Sequence, residues 1–73
     1  MEMCLLYVTD VNGQDVLTIR FDSGVPCKRA KILLHAIQLA TPGISLKAQL
    51  FTSSVGFPED YKFVKHFKSK SLL

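Results

Sequence analysis

After Asn12-Gly13, Leu17, Ile19 and Phe21 alternate with Thr18, Arg20 and Asp22; before it, Cys4-Leu5-Leu6-Tyr7-Val8 is a continuous apolar run. Alternation is the period of a β-strand, whose successive side chains point to opposite faces. Asn-Gly is the favoured dipeptide of a two-residue type I′ turn, because both positions need positive φ. A turn there pairs Cys4 with Phe21, Leu6 with Ile19 and Val8 with Leu17. All three apolar pairs share one side of the ladder, so turn chemistry and hydrophobic pattern agree on strands at about 3–10 and 15–22. The other side pairs Leu5 with Arg20, Tyr7 with Thr18 and Thr9 with Val16. That face is mixed. Its Leu5 and Tyr7 meet either a second covering layer, a partner, or solvent.

The pattern then changes period. Pro26 suits the first position of a helix, and Thr41-Pro42-Gly43 stops it, which predicts a helix over about 26–40. Ala30, Leu33, Leu34, Ile37 and Ala40 fall on one face, with Lys28, Lys31, His35 and Gln38 expected opposite. A second apolar stripe, Ile32, Ala36 and Leu39, runs beside the polar face. So small a chain has little apolar surface to spare, so the C-terminal segment is the first candidate to cover this stripe. A dimer or a target protein is the alternative.

Alternation returns in ISLKAQLFTSS, a half-buried strand at about 44–52 with Ile44, Leu46, Ala48 and Leu50 on one side and Phe51 on the other. A right-handed helical crossover makes it parallel to the second strand, and the more apolar first strand belongs between them. The last element, about 60–68, reads two ways. Tyr61, Phe63, Val64 and Phe67 favour a strand, with Tyr61, Phe63, Lys65 and Phe67 on one side. Pro58, Glu59 and Asp60, followed by lysines, complement a helix dipole instead. The return hairpin decides for the strand. The expected fold is a single α+β domain over 1–73. It is ββαβ with a C-terminal fourth strand (or short helix), in two layers. The sheet is mostly antiparallel, of order 2-1-3-4, with one helix on one face.

Composition narrows the chemistry. Hydrophobic residues make up 48% of the 73 and charged ones 21%, which excludes extended disorder. No apolar run approaches the roughly 20 residues of a membrane span, and Glu2 stands where a secretory leader carries bases. A cytoplasmic protein is the expectation, and Cys4 and Cys27 then read as buried free thiols. No CxxC or histidine spacing suggests a metal site, and His35 reads as a surface residue. Glycines at 13, 24, 43 and 56 form no phosphate loop, and no carboxylate pair or nucleophile elbow is recognisable. A domain this size also has little room for a pocket of about 300 Å3. The chain reads as non-enzymatic, without cofactor, metal or small-molecule substrate.

Charge is asymmetric along the chain. Residues 1–22 carry a net −3 and the remainder +6, ending in Lys62, Lys65, Lys68 and Lys70. Two functional expectations follow. The first is a protein-binding module, an inhibitor or adaptor that occupies the surface of a larger partner or forms a homodimer, using Ile32, Ala36, Leu39, Leu5, Tyr7 and Phe51. Small inhibitors carried by phages or mobile elements share this general character. The alternative is nucleic-acid binding through Lys62, Lys65, Lys68, Lys70, Tyr61 and Phe67, with bases stacked on rings and phosphates on lysines. The absence of arginine from this segment and the expected burial of its rings weigh against it.

Overall fold

Asp10 shapes the first hairpin more than Asn12 does. In the computed structural model, which describes all residues 1–73, its carboxylate accepts the backbone N–H of Asn12 at 2.8 Å and of Gln14 at 3.0 Å. The Gly13 N–H bonds the Asp10 carbonyl, and the Asp10 N–H bonds that of Gln14. Within this connection only Gly13 takes positive φ, at 86°. The connection is therefore a three-residue loop, Val11–Gly13, and not the two-residue turn expected of Asn12-Gly13. A leading Asp favours this form by satisfying two N–H groups within the loop. The strands it joins are β1 (Glu2–Asp10) and β2 (Asp15–Ser23). Their pairing follows expectation from Cys4–Phe21 to Val8–Leu17, then shifts so that Thr9 faces Asp15 and not Val16. Val16 consequently packs on the core, whereas Leu17 is exposed.

The helix α1 (Pro26–Ala40) carries the chain over the sheet to β3 (Leu46–Ser53), and one 3₁₀ turn at Pro58–Asp60 leads into β4 (Lys62–Ser69). All neighbouring strands are antiparallel, in the order β2-β1-β3-β4. This is the expected α+β architecture with its fourth strand. The helix-start signals Pro58, Glu59 and Asp60 act for a single turn and stop at Tyr61, whose backbone is extended. Ile44, expected inside the third strand, precedes it and is exposed.

The core lies on one side of the sheet. Cys4, Leu6 and Val8 of β1 meet Leu46, Ala48 and Leu50 of β3, Phe67 of β4, and Ala30 and Leu34 of α1. Every second residue of the two middle strands points there, as the pleat requires. Gln38 departs from its expected place on the polar face: it is 1% exposed. It follows Leu34 by four residues and so stands on the same buried side. Its amide nitrogen donates to the carbonyls of Thr41 at 2.9 Å and Ile44 at 2.7 Å, tying the helix end to the start of β3. Ala40, expected on the core face, is exposed at the helix end.

Both cysteines are free, but only Cys4 is fully buried; Cys27 is half-buried at the core margin. Burial, reinforced by Glu2 and Asp22, pushes the Cys4 thiol above its usual range. Native protein is therefore expected to label with a thiol reagent in two phases, Cys27 fast and Cys4 slow, with both fast in denaturant. Equal native rates, measured by mass spectrometry on peptides, would contradict this packing.

Candidate functional site on the open sheet face

The helix covers one face of the sheet, and the other carries only the 3₁₀ turn Pro58–Asp60 at one end. Register places three rows of side chains across it. Arg20, Leu5, Phe51 and Phe63 form the first; Thr18, Tyr7, Gln49 and His66 the second; Asp15, Thr9, Lys47 and Lys68 the third; Asp22, Met3 and Ser53 stand beyond the first. Leu5, Tyr7 and Phe51 come from the two middle strands and are half-buried. The Phe51 and Phe63 rings meet edge to face with centroids 5.8 Å apart, and His66 lies 4.7 Å from Phe63. Phe63 is 49% exposed. It reaches this face because the β3–β4 register shifts between Leu50 and Phe51, opposing Lys65 and Phe63 and leaving Val64 as the extra residue. A bulge re-aims the side chains beyond it.

That shift overturns the expected grouping of the last strand. Phe63 and Phe67 do not share a side, since Phe67 pairs with Ala48 and is 7% exposed in the core. Phe67 is thus unable to stack on a base. The lysines divide as well. Lys62 and Lys65 pair with Thr52 and Leu50 on the helix side, where the Lys65 ammonium lies 5.6 Å from the Phe67 ring centre. Lys68 stands on the open face, directly opposite Lys47.

The loop between β3 and β4 closes one end of the open face. The Ser53 hydroxyl accepts the N–H groups of Val55 at 3.2 Å and Gly56 at 2.7 Å, and Gly56 takes φ 82°. A Cβ there would collide with the Met3 sulfur, so glycine lets the loop lie against the sheet. Pro58 and Tyr61 are carried over the first row. There they line an open depression of about 350 Å3 with Leu5, Tyr7, Thr18 and Phe51. Tyr7 also borders a second, of about 260 Å3, with Thr9, Lys47, Gln49 and His66. Lys47 borders a third, of about 620 Å3, with Lys68, Lys70, Ser45, Ser69 and Ser71. Tyr7 joins the first two and Lys47 the last two into a track, with rings at one end and lysines at the other, where the third wraps the end of the sheet past Val11 and Leu46. Two of the three exceed the roughly 300 Å3 that the size of the domain suggested, as open surface grooves.

At the centre of the track, the Tyr7 hydroxyl donates to the Asp15 carboxylate, across the hairpin. This bond, with desolvation and the Asp15 charge, raises the Tyr7 pKa above its usual 10.0. A raised phenol contributes stability that is complete below about pH 10 and is lost as pH rises through the higher folded value. Absorbance titration is expected to show Tyr7 ionising at lower pH in Asp15→Ala than in the parent. An unchanged titration would mean that the bond does not form.

Of the residues expected to bind protein, Leu5, Tyr7 and Phe51 come together on the open face. Ile32, Ala36 and Leu39 do not join them; they line the exposed side of α1, and the C-terminal strand leaves them uncovered. One interface does not hold both sets. Sequence reasoning missed Phe63, His66, Lys47 and Arg20. The strand pattern already placed Lys47 beside Phe51, and Arg20 opposite Leu5, which was the available signal. No cluster of three or more His, Cys, Asp or Glu side chains stands in a metal-holding arrangement, and no helix is long and apolar enough to cross a membrane.

No family model matches the chain, and neither the curated proteins nor the solved structures include a match to it.

Proposed function

We propose that the protein is a non-enzymatic binding module for single-stranded nucleic acid, held on the open sheet face. The observation that supports this most is the continuous track from Tyr61, Phe51 and Tyr7 to Lys47, Lys68 and Lys70. Rings on the middle strands of an exposed sheet offer stacking surfaces to two or three unpaired bases. Lysines at one end of the same groove supply phosphate contacts.

Electrostatics favours a polyanion over an ordinary protein surface. Strands β3 and β4, which carry the lysine end, contain no acidic residue, and the acids of this face, Asp15 and Asp22, stand on the opposite edge strand β2. Lys47 and Lys68 face one another across the ladder, a like-charge pair that destabilises the free sheet and is relieved by an anion between them. The early objection, that the aromatics belong to the core, applies to Phe67 but not to Tyr61, Phe51 or Phe63. Binding of this kind tolerates sequence, because every base has a face to stack, and it weakens with salt.

Fluorescence anisotropy with a labelled single strand and with a duplex of equal length tests the reading. The single strand is expected to bind more tightly at matched salt, since paired bases are not free to stack. Equal or tighter duplex binding contradicts it.

A further inference from the structure

The outer side of α1 is the largest feature that the sheet-face reading leaves without a role. Ile32 is 51% exposed and Leu39 58%. They are seven residues apart, so they differ by only about 20° around the helix axis. Ala36, also exposed, lies between them and is small enough for another backbone to come close. The rest of the domain is far away, since α1 packs its other side on β1 and β3 through Ala30 and Leu34.

Charge says what fits there. Lys28, Arg29 and Lys31 crowd the N-terminal half of α1, and the helix contains no acidic residue. Its last turn contains no base. Both features oppose the helix dipole, which favours acids at the start and bases at the end. An antiparallel neighbour of the same sequence corrects both defects at once. With the two-fold axis near Ala36, Ile32 of each copy lies beside Leu39 of the other. Lys28 and Arg29, which flank the stripe, then run alongside the final turn of the opposite helix.

We infer that this face is an isologous homodimer interface, two α1 helices packed antiparallel about Ala36. Such an arrangement is self-complementary, as a two-fold contact must be. It leaves both open sheet faces outward and free, and it does not depend on what those faces bind. One helix pair buries less than the roughly 1,200 Å2 of a standard interface, so association is expected to be weak, on the order of 10⁻⁴ M.

Sedimentation equilibrium over a concentration series tests the inference on the whole chain. The expected result is a rise in mass from monomer toward dimer, abolished by Leu39→Lys, which places like charges at the contact. Circular dichroism and thermal unfolding of that variant keep loss of folding distinguishable from loss of pairing. In a Cys27→Ser background, Ala36→Cys should form a disulfide-linked dimer under mild oxidation faster than Lys28→Cys, because only the former lies at the axis. A mass that stays monomeric throughout overturns the inference and points to an acidic helix of another protein as the occupant. Faster cross-linking through Lys28→Cys overturns the antiparallel register.

Discussion

Leu50→Ala is expected to remove a large share of the folding free energy of the domain. Leu50 is fully buried on β3, between β1 and β4 in the sheet and against the helix. Leucine-to-alanine changes at such sites cost about 2–5 kcal/mol through lost transfer energy and the cavity left behind. A domain of this length has only about 4–11 kcal/mol in total, at roughly 0.05–0.15 kcal/mol per residue. Leu39→Ala, on the exposed side of α1, should change stability by only about 0.5 kcal/mol at concentrations too low for self-association. Urea denaturation followed by circular dichroism separates the two variants. Equal midpoints would mean that the core does not lie on the helix side of the sheet.

The second large effect concerns binding. Tyr7→Ala combined with Phe51→Ala removes both rings of the middle strands from the track. Stacking on an aromatic contributes about 1–3 kcal/mol per base, so the pair should weaken single-strand affinity by about thirtyfold or more. Both rings are only half-buried, which limits the cost to folding. Phe57→Ala is the control, because this ring is exposed yet lines none of the three depressions. Comparable losses in control and double variant would remove the role assigned to the middle-strand rings.

The fold was legible where two independent signals coincided. The alternation of Leu17, Ile19 and Phe21, with the turn position at Asn12-Gly13, located the β1–β2 register up to Val8–Leu17, although the turn has three residues and not two. The apolar periodicity and Pro26 located α1, and the connection rules placed β1 between β2 and β3. Failures came where one residue decides a direction. Asn-Gly serves two-residue and three-residue loops alike; Asp10 selects between them through bonds visible only in three dimensions. In β4 the segment Phe63–Phe67 alternates acceptably with or without a bulge. The bulge sends Phe63 outward and keeps Phe67 in the core. The candidate site inherits that ambiguity. Tyr7, Phe51 and Leu5 were identifiable from the middle strands, whereas Phe63, His66 and the partition of the lysines required the register.

That partition supplies the most direct test. Lys47 and Lys68 lie on the open face, and Lys62 and Lys65 on the helix side. Two double variants, Lys47→Gln with Lys68→Gln and Lys62→Gln with Lys65→Gln, remove the same formal charge from opposite sides. Binding of a labelled single strand, measured by anisotropy across a salt series, compares them. Each phosphate contact contributes about 0.7 to the log–log salt slope for single strands, so the open-face variant should lose about 1.4 and bind more weakly. The helix-side variant should keep nearly the parental slope and affinity. Equal losses in the two variants, or a larger loss on the helix side, would contradict the sheet-face account.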